Sequence, residues 1–188
     1  MRAAALLLAS LSLLSLAQAQ GSEPAQSSKL PTFKELEFKD TRYSPRTLDE
    51  FGPHKAFVLV FVTDTCPIAK RYLPELERLS THYAPHQIQF VVVSADPDRD
   101  IGRMAAFALR HDLSMPAVKD AGGHAAKALG ITRSPEVAVL DGSFRLRYRG
   151  RIDDRVKLGG QRAKASRRDL VEALEELLDG KPVSVPRT

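Results

Sequence analysis

The chain of 188 residues contains a single cysteine, no tryptophan and no asparagine. One cysteine excludes an internal disulfide, so the fold must depend on its hydrophobic core alone. The absence of asparagine excludes an acceptor for an N-linked glycan. The five histidines are scattered, and Pro85 interrupts the helical spacing of His82 and His86, so no convincing set of metal ligands is present.

Long apolar runs are also scarce, and the longest lies at the beginning of the chain. Residues 3–16 are mostly apolar, follow Arg2 and precede the small-residue triplet AQA at 17–19. This pattern is typical of a secretory signal peptide cleaved near Ala19. The run is shorter than the about 20 apolar residues of a membrane-spanning helix, so an uncleaved anchor is the less favoured alternative. We expect export to the periplasm or the cell exterior, with no stable membrane insertion after cleavage.

The remaining chain is long enough for one domain with a core. We interpret residues 20–30, rich in serine and glutamine, as a flexible leader, residues 31–182 as the domain and residues 183–188 as a C-terminal tail. The net charge is +5 at pH 7, and basic residues are concentrated between 145 and 168. Export and the lack of interleaved aromatic residues favour a solvated basic surface over a nucleic-acid-binding face.

The first half of the domain alternates apolar strand patterns with amphipathic helix patterns. We predict strands over 56–63 and 87–95 and helices over 67–83 and 100–111. Pro67 fits the first turn of its helix, and Pro74 is expected to kink the same helix. This alternation predicts parallel strands joined by right-handed crossovers.

The second half adds a hairpin and a final helix. A short helix is predicted over 123–129, followed by strands over 136–140 and 144–148 joined at Asp141-Gly142. Ser166 and Asp169 predict a capping box for a last helix that ends at Gly180. The whole pattern predicts a single α/β domain with a central mixed β-sheet flanked by helices.

Cys66 lies where the first buried strand ends and the first helix begins. Backbone N–H groups and the dipole at a helix start favour negative charge, and the thiolate is the reactive form of cysteine. The alternative is a thiol that acts as a small apolar core group. Its position beside Asp64, Thr65 and Pro67 favours the nucleophile, and we interpret Asp64 as a solvated turn residue rather than a base.

Cys66, Lys70 and Pro74 resemble the active-site helix of the thioredoxin superfamily in residue type and spacing. Ser134-Pro135 is similar to the cis-proline loop of that superfamily, which faces the active-site cysteine. The phrases LPTFKELEFKDTRY, MPAVKDAGGHAAKALGI and GRIDD resemble the redoxin branch, which is related to the alkyl hydroperoxide reductase and thiol-specific antioxidant proteins. The resemblance implies a thioredoxin-like fold, thiol redox chemistry without a cofactor or metal, and substrate binding at Pro67, Ser134 and Pro135.

The sequence departs from the active-site patterns of both the dithiol oxidoreductases and the peroxiredoxins. Ala69 stands where dithiol enzymes have their resolving cysteine, so a mixed disulfide on Cys66 requires an external thiol for release. Thr63 and Cys66 match the peroxiredoxin pattern, whereas Leu59 stands at its proline position. Arg133 is either the counterpart of the peroxiredoxin arginine, which would hold the thiolate, or an exposed loop residue.

Three functions therefore stay open. The leading hypothesis is a thiol-disulfide oxidoreductase that reacts through Cys66 with a disulfide protein substrate or an external thiol reductant. The alternatives are a one-cysteine peroxidase that passes through a sulfenic acid, and a non-catalytic module that binds an extended segment beside Pro135. Lys70 either helps to hold the thiolate or is an ordinary surface residue. We interpret Asp153 and Asp154 as solvated loop residues that neutralise nearby arginines, in preference to cation ligands or residues of the active-site rim.

Overall fold

The computed structural model describes residues 32–96, 100–157 and 160–188. The predicted signal peptide over 1–19 and leader over 20–30 lie outside the described residues. No helix among the described residues is both long enough and apolar enough to cross a membrane.

The described residues form nine β-strands, four α-helices and three short 3-10 helices. In chain order they are β1 (Glu37–Lys39), β2 (Pro45–Thr47), β3 (Ala56–Val62), α1 (Pro67–Tyr83), β4 (Ile88–Ser94), α2 (Ile101–Arg110), β5 (Ala117–Lys119), α3 (His124–Leu129), β6 (Glu136–Asp141), β7 (Leu146–Gly150), β8 (Val156–Lys157), β9 (Gly160–Gln161) and α4 (Asp169–Leu178). The 3-10 helices are Leu48–Phe51, Ala84–His86 and Ala121–Gly123.

Seven strands form one mixed sheet in the order β2-β1-β5-β4-β3-β6-β7. β3 and β4 are parallel, as are β4 and β5, whereas β6 runs antiparallel to β3 and to β7. β8 and β9 pair antiparallel as a separate two-stranded sheet. The predicted α/β fold with a mixed, thioredoxin-like central sheet is confirmed.

The central strand β3 is buried along its whole length because both faces of the sheet are covered. Val58 and Val60 face a core formed with α1, α2 and α4, while Phe57 and Phe61 face a second core that includes α3 and the segment before β3. Each fully buried side chain of this size contributes about 1.5–3 kcal/mol relative to exposure. This double burial fixes the direction of β3 and therefore the place where Cys66 leaves it.

The start of α4 differs from the prediction. The helix begins at Asp169, its N-cap residue is Arg168, and no side chain caps it, so the predicted capping box of Ser166 and Asp169 is wrong. The buried Asp169 carboxylate accepts a hydrogen bond from Arg151 Nε at 2.7 Å, and Ser166 donates its backbone N–H to Asp154. Asp169 is therefore engaged in an ion pair with Arg151, and Ser166 in a hydrogen bond to Asp154, instead of capping the helix.

Candidate active site around Cys66

Cys66 is the N-cap residue of α1, between the end of β3 and Pro67. Its Sγ accepts the backbone N–H of Ala69 at 3.4 Å and donates its thiol hydrogen to the carbonyl oxygen of Ser134 at 3.1 Å. The side chain is half-buried and packs against the core that contains α1. The sulfur thus lies between a helix start and the loop before β6, with one side accessible to a partner.

The loop before β6 is joined to the end of β3 by Ser134. The Ser134-Pro135 peptide bond is cis. Ser134 Oγ accepts the backbone N–H of Thr63 at 2.9 Å and lies 3.4 Å from Thr63 Oγ1. The Cys66 N–H donates to the Thr63 carbonyl at 3.2 Å. The structure therefore brings Thr63, Cys66, Ser134 and Pro135 together, as the motif suggested, and their roles in a reaction stay predictions.

Arg133 lies in the same loop, but its guanidinium is directed elsewhere. Its Nη2 donates to the Thr188 backbone oxygen at 2.6 Å, and its Nε lies 4.0 Å from Glu136 Oε1. No hydrogen bond joins Arg133 to Cys66 in this part of the structure, where both residues are described. The predicted contact with the thiolate would require the side chain to leave Thr188, so this role stays a prediction.

Lys70 and Pro67 are exposed near the start of α1, and the Lys70 backbone N–H donates to the Cys66 carbonyl at 3.3 Å. Asp64 is less solvated than expected, because its carboxylate pairs with Arg103 Nε at 3.4 Å and its side chain is 21% exposed. Within residues 32–96, 100–157 and 160–188, no group of three or more histidine, cysteine, aspartate or glutamate residues is placed to hold a metal ion.

Glu136 is a residue of this site that sequence reasoning missed. It directly follows Pro135, and its side chain is buried. Glu136 Oε2 accepts the backbone N–H groups of Thr132 at 2.7 Å and of Arg133 at 3.2 Å, and Oε1 lies 3.9 Å from Arg149 Nε. A carboxylate at the start of the otherwise apolar strand EVAVL was the available signal. This carboxylate fixes the loop that carries Ser134 and Pro135.

A cleft adjoins Cys66 through Ser134, which lines it and whose carbonyl accepts the thiol hydrogen. One wall consists of Ile68 and Tyr72 from α1. The other lining residues come from the loop before β6 and from the segment after β7: Arg133, Ser134, Pro135, Arg151, Ile152, Asp153 and Val156. The lining is apolar apart from two arginines, one aspartate and the polar groups of Ser134 and Tyr72.

Asp153 and Asp154 are buried, so the expectation of a solvated loop is wrong. Asp153 Oδ1 accepts the Tyr72 hydroxyl at 2.5 Å, and Oδ2 accepts Arg155 Nε at 2.6 Å. Burial, together with the hydrogen bond to Asp153, raises the pKa of Tyr72 above its usual value. Asp154 accepts the backbone N–H groups of Ser166 and Arg167 at 2.7 and 3.0 Å. Asp153 thus belongs to the cleft, and Asp154 holds the segment before α4 against it.

Comparisons with known proteins agree with this geometry. The AhpC/TSA family model matches residues 27–155. A search of the curated proteins found no match. A hypothetical protein of Sinorhizobium meliloti is 26% identical, with a TM-score of 0.71, and the match covers 86% of this chain and 92% of that one.

Two more distant structures carry names that describe redox chemistry. Peroxidoxin BcpB of Mycobacterium tuberculosis is 18% identical with a TM-score of 0.57, over 80% of this chain and 93% of its own. A secreted disulfide oxidoreductase of the same organism, homologous to DsbE of E. coli, is 16% identical with a TM-score of 0.52, over 77% of this chain and 94% of its own. At these identities the two likenesses show the fold alone.

Proposed function

Because the chain belongs to the AhpC/TSA family, in the redoxin branch of the thioredoxin superfamily, we propose that it is an exported thiol-disulfide oxidoreductase with Cys66 as its nucleophile. Family membership indicates thiol-based redox chemistry. The specific reaction, the use of a lone cysteine and the export are the proposed parts. The one observation that carries the reaction is the placement of Cys66 Sγ between the Ala69 N–H and the Ser134 carbonyl, beside the cleft.

The proposed reaction needs one external thiol. The Cys66 thiolate attacks one sulfur of a partner disulfide, the partner S–S bond breaks, and the second partner sulfur leaves as a thiolate. An external thiolate then attacks the mixed disulfide, reforms free Cys66 and leaves as a disulfide with the partner sulfur. Ala69 occupies the position from which a second cysteine would otherwise resolve the intermediate internally, and its side chain is fully buried.

The Ser134 carbonyl has a second use in this reaction. In the thiol form it accepts the Cys66 S–H. Once the thiol is deprotonated, the carbonyl loses this donor and is available to a backbone N–H of an extended partner segment. Activation of the nucleophile and binding of the partner are thereby linked through one oxygen atom.

A second candidate is a one-cysteine peroxidase, which the proximity of Thr63 to Cys66 favours. In that reaction the thiolate attacks a peroxide oxygen, forms a sulfenic acid and releases water or an alcohol after proton transfer. We place disulfide exchange first because Arg133, the residue expected to bind the peroxide oxygens, donates to Thr188 instead.

The test starts from purified protein without residues 1–19. We expect an excess of a reactive disulfide to add one partner thiol to Cys66, detected by mass spectrometry, and added glutathione to restore the free thiol. Cys66→Ser should form no adduct, and Ala69→Cys should release the partner by an internal disulfide without glutathione. A folded protein that forms no adduct would overturn the exchange reaction, and rapid loss of hydrogen peroxide with a sulfenic acid on Cys66 would establish the second candidate.

The proposed export has a separate test. Expressed as the full chain in a Gram-negative bacterium, the protein should appear in the periplasmic fraction with its first residue near Gln20. Replacement of Leu6, Leu7 and Leu8 by glutamate should keep it in the cytoplasm at full length, because a charged segment is not a signal-peptide core. Recovery of the uncleaved wild-type chain from the cytoplasm would contradict export.

A further inference from the structure

We propose that the disulfide partner of Cys66 carries carboxylates next to its disulfide, and that Arg133 and Arg151 select it. This inference rests on the proposed exchange reaction and names the substrate class of the same site. Both arginines line the cleft together with Ser134 and Pro135. Their side chains are 56% and 38% exposed, so the guanidinium groups reach solvent at the cleft.

Each of these arginines keeps donors for an incoming anion. A guanidinium carries five N–H donors. Arg133 donates through Nη2 to the Thr188 backbone oxygen, and Arg151 donates through Nε to Asp169. The contact with Thr188 also shows that an oxygen acceptor fits against Arg133 at 2.6 Å. A carboxylate can bind a guanidinium through two parallel hydrogen bonds.

A buried carboxylate holds Arg151 in place. Asp169, whose side chain is 1% exposed, lies 2.7 Å from Arg151 and 3.4 Å from Arg167. Glu136 lies within 4.0 Å of Arg133 and Arg149. Because Asp169 restricts the Arg151 side chain before any ligand arrives, this arginine loses less conformational entropy when it binds an anion than a free surface arginine would.

The charge balance of the cleft favours an anion over a cation. Its one acidic lining residue, Asp153, is buried and already bound by Tyr72 and Arg155. The lining carries two partly exposed arginines, Arg133 and Arg151, against this single buried aspartate. The exposed arginines repel a cationic partner, whereas they attract a carboxylate and slow its dissociation.

The apolar part of the cleft indicates which chemical group the partner carries besides its carboxylate. Ile68, Pro135, Ile152 and Val156 provide a surface for a hydrocarbon or aromatic group beside the disulfide. The shared chemistry is thus an apolar group with a neighbouring carboxylate, which either a small disulfide or an acidic peptide segment can supply.

The test compares reaction rates of Cys66 with disulfides of different charge. The probes are dithiobis(nitrobenzoate), which is dianionic, dithiodipyridine, which is neutral, and cystamine, which is dicationic. Each rate is divided by the rate of the same probe with N-acetylcysteine amide, which removes differences in leaving group. We expect the normalised anionic rate to exceed the cationic rate by about tenfold or more at low salt and the difference to shrink as salt is added.

Two variants test whether the preference for anionic disulfides arises in the cleft. Arg133→Gln should lower the normalised anionic rate severalfold and leave the neutral rate within about twofold. Arg42→Gln removes the same charge from the exposed turn between β1 and β2, at the other end of the sheet, and should change neither rate. Equal normalised rates for the three probes, or an equal effect of Arg42→Gln, would overturn the inference while leaving disulfide exchange intact. No reaction with any probe would overturn the exchange reaction and the inference together.

A second arm distinguishes the two sources of the carboxylate. The probes are peptide mixed disulfides with glutamate or lysine on both sides of the cysteine. Faster reaction of the glutamate peptide supports an acidic segment of a protein as the partner. If the small disulfides show the anionic preference and the two peptides react equally fast, the result supports a small acidic disulfide as the partner. Faster reaction of the lysine peptide would overturn the selection of carboxylates.

Discussion

Ser134 contacts both structural units that frame Cys66. Its hydroxyl accepts the Thr63 N–H at the end of β3, and its carbonyl accepts the Cys66 thiol at the start of α1. The sequence motif predicted this proximity because it specifies a cysteine at a helix start and a proline before a strand. The motif did not indicate the role of Glu136: a charge at the start of the apolar strand was visible in the sequence, but the backbone N–H groups that this carboxylate binds are brought to it only by the folded loop.

Replacement of Glu136 tests this residue. Glu136→Gln removes the charge that accepts the Thr132 and Arg133 N–H groups in a buried position. We expect the free energy of unfolding to fall by about 1–3 kcal/mol, because hydrogen bonds to a buried charged group are worth about this much. Urea denaturation at neutral pH measures the change. Asp179→Asn removes an exposed carboxylate from the end of α4 and should change stability by less than about 0.5 kcal/mol. Equal stability of Glu136→Gln and the wild type would contradict this role.

The β6–β7 hairpin shows what a sequence pattern predicts at the scale of an element. The turn was expected at Asp141-Gly142, with strands over 136–140 and 144–148. In the structure β6 extends to Asp141 and β7 begins only at Leu146, because the connection is longer and Phe144 adopts a left-handed conformation with φ of 57°. Gly142 is required for packing, since a Cβ there would lie 2.8 Å from the His54 carbonyl oxygen.

Asp141 organises this connection. Its Oδ1 accepts the backbone N–H groups of Ser143 and Arg145 at 2.8 and 3.0 Å, and its Oδ2 accepts Arg147 Nε at 2.7 Å. Burial acts to raise the pKa of Asp141, but these donors together outweigh burial, so the pKa lies below the ordinary value of 3.8. A carboxyl with a lowered pKa in the folded state stabilises the fold above its unfolded pKa, and this stabilisation is lost as pH falls through the folded pKa.

We therefore predict a specific pH dependence. Asp141→Asn should be less stable than the wild type at neutral pH by about 1–2 kcal/mol. The difference should shrink as pH falls below about 4, because the wild type loses the contribution of the ionised carboxylate there and the variant does not. Urea unfolding at a series of pH values measures both curves, with Asp179→Asn as the matched exposed carboxylate. Parallel curves for wild type and Asp141→Asn would contradict the assignment.

The fold of the molecule as a whole was predictable where its elements are long. β3, β4, α1 and α2 have seven or more residues, enough for an apolar run or a helical repeat to be recognised. β1, β2 and β5 have three residues each and were not predicted, because so short a segment carries no period and pairs only through tertiary contact. The cluster of buried carboxylates and arginines around the cleft was missed for a similar reason, since a charged loop sequence does not reveal burial.

The single cysteine leads to a prediction for the whole molecule. Cys66 is free, so no covalent link restrains the unfolded chain. We expect the thermal unfolding midpoint of the mature protein to be the same with and without a reducing agent. Under mild oxidation a dimer linked through Cys66 should form on a non-reducing gel, and Cys66→Ser should stay monomeric on that gel. A midpoint that shifts on reduction, or a covalent dimer of Cys66→Ser, would contradict this prediction.

The outer side of β7 is covered by the two ends of the described chain. Thr32 pairs antiparallel with Arg145, and Arg187 pairs parallel with Arg149. Arg149 donates to the Pro186 carbonyl and accepts from the Thr188 N–H at 2.9 and 3.2 Å. An uncovered edge strand is a template for edge-to-edge self-association. The two short pairings therefore cover the edge of β7 and reduce its tendency to pair with another copy. At the opposite edge, β2 offers little backbone for such pairing because it is only three residues long.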